Sequence, residues 1–407
     1  MIGDSVMDLK LALISAFPPG RQSLNEYGFH VACELAARPD VSEVIVLADI
    51  LSEPVEELSL DPKIRVIRCW EFNSLKAGPA ILQALKREGV HAAIWNIQTA
   101  TFGDRELPAA LGLMAPALAR AMGTPSGVIA HNILAGIDLD STQLKGQRIR
   151  QAVIKVAGSV VTRAMLSATY TTVTLRSYAN YLQETFPSKN VHLVPHGTFD
   201  TTETAMTPFE QRPKRLVTMG KFGTYKRLDT LLEAFDLLRG DAAFEDYELL
   251  IGGTDHPNAQ GYMDALKAKR ADDPGVVFHG YVAENSIADF FGSARASIFD
   301  YSATTGSSGV LHQTACYGAV PVFPAIGDFV DVCRDEGLNG ANYAPENAEE
   351  MAQAMRRVLG DAEAANQLAN ANKQASMELP LSKVVAFHID RLREALSPLD
   401  CSDAQLA

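Results

Sequence analysis

The sequence predicts an α/β protein built as two doubly wound, parallel-sheet domains. Three observations carry that expectation. Short apolar runs alternate with amphipathic stretches along nearly the whole chain, the pattern of parallel βαβ units with helices on both sheet faces. The alternation breaks at residues 198–213, TFDTTETAMTPFEQRP, which are polar and carry no apolar period, and then restarts. The chain has 407 residues, too many for one compact core, so length alone points to two domains.

In the first half, strands are expected at 11–15, 43–47, 64–69, 92–96, 126–130, 171–174 and 192–194, with helices between them, among them 28–37 and 77–88. In the second half, the strands are 216–219, 247–251, 276–279, 296–299 and 320–324, and the helices 228–238, 261–271, 284–294, 310–317 and 348–359. A further helical pattern covers 381–396. The expected division is 1–197, a linker at 198–213, a second domain at 214–378, and a C-terminal helix with tail at 379–407. Two such domains would face each other across a cleft, with ligands held beyond the carboxyl ends of the strands.

The composition excludes several classes. With 47% hydrophobic and 21% charged residues the profile is that of an ordinary soluble protein, and a net charge of −13 argues against nonspecific nucleic-acid binding. Cys33, Cys69, Cys316, Cys333 and Cys401 are scattered, which argues against a zinc site or disulfide scaffold and suits a reducing compartment. MIGDSVMDLKLALISAF reads as a first buried strand rather than a signal peptide. No apolar run approaches the roughly twenty residues of a membrane span. A cytoplasmic location is expected, peripheral at the inner membrane face if the basic stretch described below binds lipid.

The most informative stretch is 216–231, LVTMGKFGTYKRLDTL: an apolar strand, a glycine turn, Lys221 and Lys226, then a helix. A short loop between a strand and a helix N-terminus gathers N–H groups and positive dipole at one point, and two lysines beside it make a pocket for a phosphate or diphosphate. The plainer reading is surface charge at the rim of a sheet. His131 follows the strand 126–130 directly and is available as a hydrogen-bond donor to a substrate, or as a structural cap of the sheet. His196, in PHGT, stands at the linker, where a hinge role is as natural. The loop 300–309, DYSATTGSSG, brings Thr305, Ser307, Ser308 and Gly309 to a helix start and suits a polyhydroxylated or phosphorylated ligand, or is simply a Ser/Thr-rich cap. Gly253, after the expected strand 247–251, permits close backbone approach or is a plain turn. Tyr281 and Val282 would offer backbone groups to a flat base. Residues 141–183 contain Lys145, Arg148, Arg150, Lys155, Arg163 and Arg176 and no acid, with apolar residues at partly helical spacing. That is either a membrane-surface helix or a solvated positive face.

Taken in order, these segments resemble a retaining glycosyltransferase of the GT-B fold, of the large family four or group 1 type, whose two domains are Rossmann-like. VPHGTF is similar to the family's "vipnGvd" signature. MGKFGTYKRLDTLLEAF is similar to "vGrl...Kg.d.LleAf", with Lys221 in the arginine position and Lys226 in the lysine position. VVFHGYVAENSIADFFGSARASIF and GAVPVFPAIGDFVDV are similar to the segments that follow. SAFPPGRQSLNEYGFHVACELAA resembles the family's opening loop and first helix, where Gly28 would let the backbone approach the donor phosphates. AHNIL resembles the segment carrying the active-site histidine, which gives His131.

One departure stands out. The family's acidic pair falls on Thr305 and Gln313. Gln313 would still hydrogen-bond a ribose, whereas Thr305 supplies no carboxylate. The local sequence resembles a family variant with a changed sugar-binding loop. The resemblance implies a UDP- or GDP-sugar donor, with Lys221 and Lys226 neutralising its diphosphate and His131 hydrogen-bonding the transferred sugar. No metal or other cofactor is implied, because lysines and N–H groups do what a divalent cation does elsewhere. The acceptor would be a sugar or a lipid-linked molecule. The rival expectation is a catalytically silent GT-B protein that binds nucleotide sugars. A dinucleotide-binding dehydrogenase is disfavoured, since no G-x-G-x-x-G follows the first strand.

Overall fold

A computed structural model describes residues 7–20, 22–51, 53, 56, 58–133, 148–200, 205–303 and 306–397, with the backbone alone over 148–154. The chain divides into two compact units, Met1–Pro195 with Leu381–Ala407, and His196–Pro380.

The first unit holds a seven-stranded parallel sheet in the order β3-β2-β1-β4-β5-β6-β7. Its elements are β1 (Leu9–Ile14), α1 (Asn25–Ala37), β2 (Val41–Asp49), β3 (Ile64–Trp70), α2 (Ala77–Glu88), β4 (Ala92–Ile97), α3 (Glu106–Ala121), β5 (Ser126–Ala130), α4 (Arg148–Leu166), β6 (Tyr170–Val173), α5 (Arg176–Thr185) and β7 (Val191–Leu193). The central strands β1, β4 and β5 are buried along almost their entire length. That burial is why they read as continuous apolar runs rather than alternating ones. The order reverses at β1/β4, the switch point at which such sheets open a crevice at their carboxyl ends.

The second unit is a six-stranded parallel sheet, β10-β9-β8-β11-β12-β13. It comprises β8 (Arg215–Phe222), α6 (Asp229–Arg239), β9 (Glu248–Asp255), α7 (Tyr262–Lys269), β10 (Val276–Gly280), α8 (Ile287–Gly292), β11 (Ala296–Ile298), α9 (Gly309–Tyr317), β12 (Val320–Pro324), α10 (Gly327–Glu336), β13 (Ala341–Tyr343), α11 (Ala348–Leu359) and α12 (Ala362–Glu378). The last helix, α13 (Leu381–Leu396), belongs to the first unit. It buries Val384, Val385, Ile389 and Leu392, and the Tyr170 hydroxyl lies 2.8 Å from His388 Nδ1.

Two departures from the sequence reading matter for the site. Strands β8 and β9 run further than 216–219 and 247–251 and stay paired to their ends, Gly220 against Gly253 and Lys221 against Thr254. Apolarity marks only the helix-covered part of a strand, while backbone pairing continues beyond it. Lys221 and Gly253 therefore sit on strands, not in turns. The described part of 198–213 is no loose linker either. Phe209 joins the second unit's core, and the buried Arg212 guanidinium donates to the carbonyls of Thr207, Ala294 and Gly318. A buried cation held by three carbonyl acceptors is structural.

Candidate active site

In the first unit, His131 stands at the end of β5, 6% exposed, with its backbone N–H on the Ile97 carbonyl. Its Nε2 is 2.7 Å from Asn96 Oδ1. The Asn96 side-chain nitrogen donates to Ser15 Oγ at 2.9 Å and toward the Leu24 carbonyl at 3.3 Å. Ser15 Oγ in turn donates to the Ala16 carbonyl at 2.6 Å. Carbonyls only accept, so this network assigns the amide orientation, and with it the proton on His131 Nε2. Burial pushes the His131 pKa down to about 3, so the ring is neutral at ordinary pH. The Tyr27 ring meets it edge-on at 4.5 Å. The proton of the neutral ring is directed at Asn96 Oδ1.

Gly28 is used by the protein itself. A Cβ there would lie 2.2 Å from Ser15 Oγ and 2.9 Å from the Ala16 carbonyl, so the glycine lets α1 press against the end of β1. The same holds for Gly253, with φ +132°, where a Cβ would lie 1.9 Å from the Gly220 carbonyl. The close approach is between two strands, which explains the residue without a ligand.

In the second unit, half-buried Lys221 and Lys226 both act on His256, just beyond β9. Burial lowers the His256 pKa first, and the two ammonium groups lower it further. The Asn258 N–H donates to His256 Nδ1 at 3.2 Å, leaving the ring proton on Nε2. Two cations and a neutral imidazole thus collect at the carboxyl ends of β8 and β9. Lys226 is aimed by packing: its Nζ lies 4.8 Å from the Tyr301 ring centroid, and Lys226 and Tyr301 form an antiparallel bridge.

The helix dipole expected to reinforce these lysines is taken. Asp300 Oδ2 accepts from Leu231 N at 3.0 Å in the first turn of α6, and Tyr262 bridges Asp229 and Leu228 N. Burial raises the Asp300 pKa, against hydrogen bonds from Leu231 and Thr230 that lower it. A carboxylate of the protein therefore occupies the anion position at α6, and the lysines stand without that dipole.

The other helix start, α9, is capped locally. Ser308 Oγ accepts from Leu311 N, and Gly306 N donates to Asp328 Oδ2 at 2.7 Å. Ser307 Oγ is buried with no hydrogen-bond partner among the described residues. Gly309 lies against His196, and Gln313 is buried on α9. Thr305 lies outside the described residues, as do Lys145 and the side chains of Arg148 and Arg150. Tyr281 is exposed after β10, whereas the Val282 side chain packs with Ile287, Phe290 and Phe291, leaving only its backbone to a ligand. Among the described residues no group of three or more His, Cys, Asp or Glu is placed to hold a metal ion.

Residues 213–361 match the family model described as Glycosyl transferases group 1, a segment that falls within the second unit. Among solved structures, sucrose-phosphate synthase from Thermosynechococcus elongatus is 16% identical over 95% of this chain and 99% of its own, with a TM-score of 0.69. The fold is GT-B. An α,α-trehalose-phosphate synthase (UDP-forming) from Burkholderia xenovorans, in complex with glucose-6-phosphate, is 11% identical over 94% of this chain and 100% of its own, with a TM-score of 0.67. Anabaena Alr3699/HepE in complex with UDP-glucose is 12% identical over 95% of this chain and 100% of its own, with a TM-score of 0.65. No curated protein matches the chain.

Within this GT-B chain, several site residues carried no signal in the sequence. Asn96 is an ordinary residue inside an apolar strand. His256 follows a strand that reads as ending four residues too early. Asp300 was visible only as part of a polar loop. His312 and Glu336 are 24 residues apart and meet only in the fold.

Proposed function

We propose that this protein transfers a sugar from a nucleotide-sugar donor to an acceptor hydroxyl with retention, in a hexosyltransferase-like reaction of glycan, polysaccharide or glycolipid synthesis. The observation that carries the reading is the placement of Lys221 at the paired end of β8 and of Lys226 against Tyr301, both bearing on His256 just beyond β9. Ligands of doubly wound sheets bind at such strand ends, and the segment matched to group 1 glycosyltransferases includes these residues. UDP-glucose and UDP in HepE complexes support a uridine nucleotide as the first donor to try.

On this reading the two ammonium groups neutralise the diphosphate and stabilise the charge that builds on it as the glycosidic bond breaks. Ser307–Gly309 would meet the phosphates or the sugar, Tyr281 and the Val282 backbone the base, and Gln313 the ribose. His131 would hydrogen-bond the transferred sugar near the reaction centre. No double-displacement nucleophile stands out, so the leaving phosphate oxygen would assist deprotonation of the acceptor. A nucleotide-sugar-binding protein without turnover is the second reading, favoured by Gln313 and Thr305 in place of acids.

The membrane-surface acceptor is part of the proposal. Leu107, Leu111 and Leu118 on α3 and Val156 and Val160 on α4 are exposed, on helices that pack together. Lys155 and Arg163 share α4. Among the described residues no helix is long and apolar enough to cross a membrane.

The deciding experiment is a thermal-shift and calorimetric screen against UDP, GDP, ADP and their glucose conjugates, with two variants. Lys226→Ala should weaken diphosphate binding by about tenfold or more. His131→Ala should spare nucleotide affinity and lower turnover by about a hundredfold. Unchanged donor affinity in Lys226→Ala would end the reading.

A further inference from the structure

His312 sits in the first turn of α9, 5% exposed. Its Nδ1 is 2.8 Å from the Ser308 carbonyl oxygen, and its Nε2 is 2.7 Å from Glu336 Oε2 at the end of α10. A carbonyl and a carboxylate both only accept, so a proton on each ring nitrogen satisfies both bonds at once. An imidazolium paired with a carboxylate inside the second unit fits this geometry, with both side chains almost fully buried. Burial by itself would favour the neutral ring. The charge of Glu336 and the hydrogen bonds to Glu336 and Ser308 outweigh it and raise the pKa.

His196 stacks on His312 with centroids 4.7 Å apart and planes at 21°. His196 Nδ1 is 3.0 Å from the Gly197 carbonyl, and the far side of its ring borders Gly309. The Cys333 thiol on α10 is pushed up to about 12 by burial and by Glu336, so it stays neutral. One turn further along α9, Asp200 and Lys373 act on Cys316 with opposite signs. Before the helix, Asp328 is engaged with Gly306 N. Glu336 is thus the charged group that bears directly on His312. The contrast with His131 is chemical: one buried histidine faces an amide oxygen and is held neutral, the other faces a carboxyl group and a carbonyl, which favour the charged ring.

We infer that Glu336 is a positioning residue for the loop Ser307–Gly309: it holds His312 as an imidazolium, which clamps Ser308 and places a positive charge directly behind the turn that would meet a nucleoside diphosphate. The inference rests on that loop taking part in donor binding, as proposed above. A helix dipole alone gives about half a charge at its N-terminus. The buried His312–Glu336 pair, neutral overall but with its positive end against Ser308, supplements it without a metal and without an exposed side chain.

Two measurements test this on the full chain. The first is the ¹⁵N shifts of the His312 ring in the free protein at about pH 7. A doubly protonated ring is expected. A neutral ring, with the proton resting on Glu336, overturns the inference whatever the protein binds. The second is calorimetric affinity for UDP and GDP in wild type and Glu336→Gln between about pH 6 and about pH 8.5. Comparison at equal pH removes the nucleotide's own titration. The variant should bind about tenfold more weakly than wild type throughout this range, because a buried ring that faces an amide is neutral there, as His131 is. His312→Gln should bind more weakly across the whole range, and it supplies the comparison if Glu336→Gln does not fold. No loss in Glu336→Gln overturns the role while leaving the donor reading intact. Wild type binding neither nucleotide overturns the donor-loop reading, and this role with it.

Discussion

The carbonyls of Leu24 and Ala16 begin a chain of side chains that ends at His131. Each link is set by the one before it: fixed acceptors orient the Asn96 amide, and the amide selects the ring tautomer. Substitution of Asn96 therefore alters the chemistry of a neighbour as well as a contact. Asn96→Asp places a carboxyl group on His131 Nε2 and should bring ring protonation up from about 3 to between about 5 and about 7. It also turns an acceptor toward the Leu24 carbonyl and should cost about 1–3 kcal/mol of stability. NMR titration of the histidine ring checks the first and denaturant melts the second. A ring still neutral at about pH 4 would show that Asn96 does not control it.

At the scale of elements, the paired ends of β8 and β9 position the lysines. Lys221 is on a strand, not in a flexible turn, because Gly220 and Gly253 allow the two backbones to stay in register past the apolar core. Gly253→Ala should destabilise by about 2–4 kcal/mol, since φ is positive and the new methyl has nowhere to go. Gly261→Ala is the control. It also has positive φ but nothing within 4 Å of the added Cβ, and should cost about 1 kcal/mol. Equal denaturant midpoints for the two variants would show that the strand contact is not what Gly253 serves. The same scale explains the misplaced dipole. A strand-to-helix turn with two lysines predicted an anion at the α6 N-terminus, and Asp300, arriving from a different strand, fills it.

For the whole molecule, a net charge of −13 coexists with the all-basic stretch 141–183. Leu107, Leu111 and Leu118 recur at spacings of four and seven, one stripe along α3, and Met122 extends it just past the helix. Val156 and Val160 lie one turn apart on the neighbouring α4. The protein should therefore float with vesicles rich in phosphatidylglycerol and not with pure phosphatidylcholine, and lose that binding at about 0.5 M salt. Leu111→Glu with Leu118→Glu should abolish it. Equal behaviour on the two vesicle types would remove the membrane from the proposal.

The sequence by itself determined the architecture: two parallel α/β units, with His131 directly after a strand. Hydrophobic periodicity is a local property, and a strand's carboxyl end is where side chains leave the core. The tertiary structure decided the site's chemistry. Whether His131 is neutral or His312 charged, and whether a helix terminus is open or already occupied by Asp300, depends on partners far away in sequence. Hydrogen-bond acceptors and burial set protonation, and both exist only once the chain has folded.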